Sequence, residues 1–123
     1  MKNITIEMLL ENSKKLAEKK TVKVEVAELG GVLELEVLNR MEILDILTNG
    51  NSTDKDSELV YTSGKIFKDD KLITQLGCEM NPAEVVPKVL SHSTITGISE
   101  LLMKKAGWNE KFTVEEVVEE IKN

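Results

Sequence analysis

Apolar positions along this chain change period twice. Between residues 5 and 18, Ile6, Leu9, Leu10, Leu16 and Ala17 recur at helical spacing on one stripe, interrupted by Ser13, which predicts an amphipathic helix. Lys14, Lys15, Lys19 and Lys20 crowd its C-terminal end, where cations favour the negative end of the helix dipole. A basic partner-binding patch is the alternative reading of those lysines. From 22 to 38 the period falls to two. Val22, Val24 and Val26 alternate with Lys23 and Glu25, and Leu33, Leu35 and Val37 alternate with Glu34 and Glu36. With Gly30-Gly31 between them, these runs predict a β-hairpin with one apolar and one charged face.

Two registers keep the apolar faces of that hairpin aligned. A two-residue Gly30-Gly31 turn pairs Val26 with Leu35 but sets Glu25 opposite Glu36. A four-residue loop over 28–31 pairs Val26 with Leu33 and Lys23 with Glu36, yet sets Glu25 opposite Glu34. Cross-strand pairing favours the four-residue loop and turn propensity favours the shorter one.

Beyond the hairpin the helical period returns. Asn39 and Glu42 form a capping-box pattern, and Met41, Ile43, Leu44, Ile46 and Leu47 supply the expected buried side of the helix they open. Asn49-Gly50 closes it and 51–56 is a polar loop. Asp56 or Ser57 opens the next helix, which carries Leu59, Val60 and Tyr61 and weakens at Gly64. Asp69 caps a short helix holding Leu72, Ile73 and Leu76, and Gly77 stops it. Asn81 with Pro82 starts another, in which Pro87 predicts a kink or an early break. Ser91 or Ser93 opens a longer helix with Ile95, Ile98, Leu101 and Leu102 on one face. Gly107 ends it, and Trp108 is expected to fold back on Leu102 or Met103. Thr113 and Glu116 form a last capping box ahead of Val114, Val117, Val118 and Ile121.

The pattern as a whole predicts one mainly helical α+β domain over residues 1–123. It has an N-terminal helix and hairpin over about 1–38, then several short helices packed together over about 39–123. Expected core positions are Val24, Leu35, Ile43, Leu44, Leu72, Leu76, Val85, Ile98, Leu101 and Leu102.

A chain of 123 residues can bury a real core, and 41% apolar with 31% charged residues is ordinary for a soluble globular protein. Aromatics are restricted to Tyr61, Phe67, Trp108 and Phe112, so the core must be aliphatic. A net charge of −6 repels phosphate backbones and disfavours nucleic acid as a partner. No apolar run spans a bilayer and no signal peptide is visible, so no membrane role is expected.

Catalytic chemistry is thin. His92 is the only histidine and reads as a solvated residue at a helix start. Cys78, the only cysteine, follows Gly77 and reads as a small buried apolar residue rather than a reactive thiol. It excludes an internal disulfide and fits a reducing compartment. Together these residues make no metal set. The pairs Asp54 with Asp56 and Asp69 with Asp70 lack the further oxygen ligands of a calcium loop. Gly30-Gly31 joins two strands and has no following lysine and hydroxyl, so it is no phosphate loop. The expectation is a non-enzymatic protein with no cofactor.

One series of motifs is more specific. Val60-Tyr61, Lys68-Asp69-Asp70, Leu76-Gly77-Cys78, Pro82-Ala83-Glu84-Val85-Val86 and Ala106-Gly107-Trp108 occur in this order within residues 59–108. The series resembles the C-terminal half of the XkdN-like phage tail assembly chaperones, and the N-terminal part shares the general plan of an early β segment followed by a helix. Pro87, and Ser91-His92-Ser93 in place of an expected Pro-Gly turn, depart from the pattern. The resemblance implies a phage or prophage protein that binds the tape measure protein and keeps it soluble until tail tube subunits polymerise around it. It further implies residence in the cytoplasm of the bacterial host and absence from the mature virion. The tail tube protein and a second copy of the chain are further candidate partners. A small structural tail component or adaptor retained in the virion is the alternative.

Candidate partner-binding residues are Val114, Val117, Val118 and Ile121, with Trp108. The four aliphatics form one stripe of a terminal helix whose other side carries Glu115, Glu116, Glu119 and Glu120. Such a stripe either docks on its own domain or receives an amphipathic client helix or a second copy.

Overall fold

A computed structural model describes residues 2–49 and 54–108 of the chain. Its architecture is mainly helical α+β: an N-terminal helix, a two-stranded antiparallel hairpin, then several short helices packed together. The first helix, α1 (Ile6–Ala17), is closed at its start by Thr5, whose hydroxyl accepts the Met8 N–H at 3.2 Å. Glu7 in the first turn and Lys14 and Lys15 in the last complement the dipole. None of its residues is buried.

The hairpin consists of β1 (Thr21–Val26) and β2 (Gly31–Glu36). Its register is neither of the two expected. Val22 faces Leu35, Val24 faces Leu33 and Val26 faces Gly31, around a four-residue loop over 27–30. This pairing is shifted by two residues from the 28–31 loop, so the apolar faces stay aligned. The shift sets Lys23 opposite Glu34 and Glu25 opposite Val32, which removes the like-charge pair that both expected registers contained. The loop is closed by the Leu29 and Gly30 N–H groups donating to the Val26 carbonyl at 3.1 and 3.0 Å. Gly30, at φ 65°, supplies the left-handed residue that returns the chain to β2.

Asn39 and Glu42 form the expected capping box ahead of α2 (Arg40–Asn49). The Glu42 N–H donates to Asn39 Oδ1 at 2.8 Å and the Asn39 N–H to Glu42 Oε1 at 3.2 Å. Only Ile43 and Ile46 of this helix are buried; Met41 and Leu47 face solvent, contrary to the expected stripe, and Leu44 is half-buried. Next comes α3 (Lys55–Ser63). It is capped by Asp54, not by Asp56 or Ser57: the Asp54 carboxylate accepts the Ser57 N–H at 3.1 Å and the Ser57 hydroxyl at 2.6 Å. That leaves Asp56 free to take a hydrogen bond from the Ser99 hydroxyl at 2.6 Å. A 3-10 turn over Lys65–Lys68, not anticipated from the sequence, then leads to α4 (Asp70–Gln75), capped by Asp69 as expected.

Pro87 shapes the following stretch. A 3-10 turn over Pro82–Glu84 precedes α5 (Val85–Val89), so the break falls just before the proline and places it in the first turn of α5. Ser91 then caps α6 (His92–Lys105).

Two helices close in the same way. After α4, the Gly77 N–H donates to the Thr74 carbonyl and the Cys78 N–H to the Ile73 carbonyl. After α6, the Gly107 N–H donates to Lys104 and the Trp108 N–H to Met103. Both glycines have positive φ, 67° and 84°, and both following residues turn an apolar side chain inward. This double closure with a trailing apolar residue is the Schellman arrangement.

The core joins Val26 and Leu35 of the hairpin to Leu38, Ile43, Val60, Phe67, Val85, Val86, Ile98 and Leu102. A helix pair, α3 against α6, forms its middle, and α3 also meets α2, α5 and β2. Each fully buried aliphatic side chain contributes on the order of 1.5–3 kcal/mol. Of the expected core, Leu35, Ile43, Val85, Ile98 and Leu102 are buried, whereas Val24, Leu72 and Leu76 pack at its margin. Leu101 is only half-buried: α6 turns Ile95, Ile98, Ser99 and Leu102 inward and leaves Leu101 at the flank. The hairpin loop is tied to this body by Glu28, whose carboxylate accepts the Ser91 N–H at 3.0 Å and the Ser91 hydroxyl at 3.2 Å.

Candidate binding surface

The sequence positions singled out for the resemblance act as joints of the helical body. Val60 is at the centre of the core, and Val85 and Val86 are wholly enclosed. Lys68 donates to the Thr62 carbonyl at 3.0 Å while its ammonium sits 5.7 Å from the Tyr61 ring centroid, fastening the turn before α4 back onto α3. Burial, and then the Asp70 carboxylate, push the Tyr61 phenol above its ordinary pKa. Lys88 caps the C-terminus of α4 by donating to the Leu76 carbonyl at 2.7 Å. Cys78 is buried as expected, and His92 is exposed in the first turn of α6. Among the described residues no group of His, Cys, Asp and Glu could hold a metal ion, and no helix is long and apolar enough to cross a membrane.

The exposed apolar surface lies elsewhere. On α1, Ile6, Leu9, Leu10 and Leu16 are between 60% and 73% exposed. A helix of 12 residues is marginal in water unless something covers its apolar face. The stripe runs into a groove of about 440 Å³ between the C-terminal half of α1, the 37–42 stretch and the end of α6. Leu16, Ala17, Val37, Met41 and Ala106 give this groove its apolar lining. Around them stand Lys15, Lys19, Lys20, Arg40 and Lys105, against the carboxylates of Glu18 and Glu42. Lys19 pairs with Glu42 at 3.8 Å; the other four cations meet no carboxylate among the described residues.

The lysines after α1 were visible in the sequence, but their company was not. Arg40 and Lys105 enter the groove from α2 and α6, far along the chain, and no local pattern connects them. A second groove, of about 510 Å³, follows the outer edge of β2 past Val32, Leu33, Lys65 and Ile66. Lys65 and Glu36 bridge part of it at 3.4 Å.

Of the expected partner-binding residues, Trp108 is half-buried and packs against the margin of the core. Val114, Val117, Val118 and Ile121 lie outside the described residues. No protein-family model matches the chain, and no curated protein or solved structure matches it.

Proposed function

We propose that this chain is a phage or prophage tail assembly chaperone that binds the tape measure protein and keeps it soluble before the tail tube polymerises. The reading starts from the motif series over residues 59–108 and its resemblance to the XkdN-like chaperones. The structural observation that supports it best is the uncovered stripe of Ile6, Leu9, Leu10 and Leu16 on α1, the kind of surface that receives an amphipathic helix of a long client. The role is non-enzymatic and takes no cofactor, and nucleic acid is not a partner. The protein acts in the cytoplasm of the bacterial host and is left out of the mature virion.

Co-expression with the adjacent large tail gene tests this. Soluble recovery of the tape measure protein only when this chain is present is the expected result. Recovery that is the same with and without the chain sinks the reading. Mass spectrometry of purified particles adds a second test: a stoichiometric copy in finished tails contradicts the chaperone role and makes the chain a structural tail component.

A further inference from the structure

We propose that the groove at the end of α1 receives an acidic amphipathic helix of the client, with its apolar side on Leu16, Met41 and Ala106 and its carboxylates on Lys20, Arg40 and Lys105. The inference rests on the chaperone reading and adds to it the chemistry of the client segment.

Charge selects the partner. The protein carries −6 overall, yet the groove gathers five cations against two carboxylates. One of those carboxylates is already engaged: Glu42 accepts the Asn39 N–H at 3.2 Å and pairs with Lys19 at 3.8 Å. Lys15 and Lys105, in the last turns of α1 and α6, favour the negative ends of their own helices. Arg40 has no such local reason. It opens α2, where the dipole disfavours a cation, and no carboxylate among the described residues pairs with it. A guanidinium placed in this way suits the two oxygens of a carboxylate.

Shape and lining favour a helix over other anions. A polyphosphate chain has no apolar side to lay on Leu16, Val37, Met41 and Ala106, and the net charge of the protein repels it. A concave space of about 440 Å³ admits the side chains of a helix but not the face of a bilayer. The stripe of α1 extends the seat. Ile6, Leu9 and Leu10 are exposed at helical spacing beyond Leu16, so a helix laid along the 12 residues of α1, about 18 Å, meets apolar side chains before its end reaches the cations. Glu7 and Glu11 mark the far end of α1 and Lys14 and Lys15 the near end, which draws the acidic turn of the client to the groove.

The test uses two fluorescein-labelled synthetic helices that share one leucine stripe, one flanked by glutamates and the other by lysines. Each is titrated with the full chain and read by anisotropy. The glutamate helix should bind about tenfold or more tighter than its lysine twin. High salt should shrink that preference, and K20E/R40E/K105E should invert it. All three side chains are exposed, so the variant should keep the denaturant midpoint of the unaltered chain. Equal binding of the two helices, or binding of neither, overturns the proposal, as does a preference that survives the charge reversal. Pelleting of the chain with phosphatidylglycerol vesicles, without binding of the glutamate helix, overturns it in favour of a membrane surface. A dimer that the glutamate helix does not displace overturns it in favour of a second copy. The titration needs no tape measure protein, so the two readings fail separately. A chain that binds the glutamate helix but does not keep that client soluble loses only the assembly role, whereas one that keeps it soluble without the acidic preference loses only this proposal.

Discussion

The stretch from α3 to Trp108 and the helix α1 are specified by the same kinds of local signal, yet they come to opposite ends. In the first, every helix carries a signal at one or both ends: Asp54, Asp69 and Ser91 cap, Pro82 opens the turn ahead of α5, and Gly77 and Gly107 close. Their apolar faces then converge on one core. In α1 the cap at Thr5, the stripe and the basic last turn are equally well formed, but no side chain is buried. Local sequence determines that a helix forms and which side is apolar. It does not determine what that side meets. Where the apolar face meets others among the described residues it is core; the stripe of α1 stays exposed among them.

Substitutions should separate the two regions sharply. Leu102→Ala, at a 2% exposed position of α6, should cost about 2–5 kcal/mol in denaturant unfolding, because the transfer and cavity terms both apply. Leu101→Ala, one residue away and half-buried, should cost clearly less. Equal losses would show that α6 is rotated from the arrangement described. Gly64→Ala comes next. A Cβ there would stand 2.7 Å from the Phe67 ring and 3.1 Å from Leu35 Cδ2, and Phe67 is itself buried, so a loss of about 1–3 kcal/mol is expected. An unchanged midpoint would mean that the turn between α3 and α4 yields more easily than its packing suggests.

Ser99→Ala removes the 2.6 Å bond to Asp56 that joins α6 to α3, with an expected loss of about 1–2 kcal/mol. A double cycle with Asp56→Asn should show coupling; strict additivity would argue that the bond contributes nothing to the helix pair. The smallest effect belongs to Glu28. Hydrogen bonds from the Thr94 side chain and then the Ser91 N–H hold its carboxyl below the ordinary glutamate range. Its folded pKa is the lower one, so its contribution is complete above the unfolded value and is lost as pH falls through the folded value. Glu28→Gln should flatten that acid limb of the stability profile, while an unaltered profile would show that the loop latch is not coupled to folding.

Much of the helical half was legible in its residues because caps and stops act within three or four positions. Asn39 with Glu42, Asp69, Gly77 and Gly107 all do what their types and spacing predict. The hairpin was legible as a hairpin but not in its register. Both expected pairings assumed Gly30-Gly31 to be the turn or its end, whereas Gly31 is the first residue of β2 and only Gly30 takes the left-handed conformation. The cap at Asp54 was missed because Asp56 fits the same pattern two residues later, and only the packed structure shows Asp56 engaged by Ser99. The groove was the least legible feature. Its cations come from α1, α2 and α6, and only their assembly in space makes them a site.

The central claim is that the α1 stripe is a binding surface rather than part of the folding core. It is tested most directly by the soluble yield of the tape measure protein co-expressed with the Leu9→Asp/Leu10→Asp double variant. Both leucines are about 60% exposed, so the variant itself should stay folded and soluble. The account predicts that the client then passes into the insoluble fraction. Client recovery equal to that with the unaltered chain would contradict it.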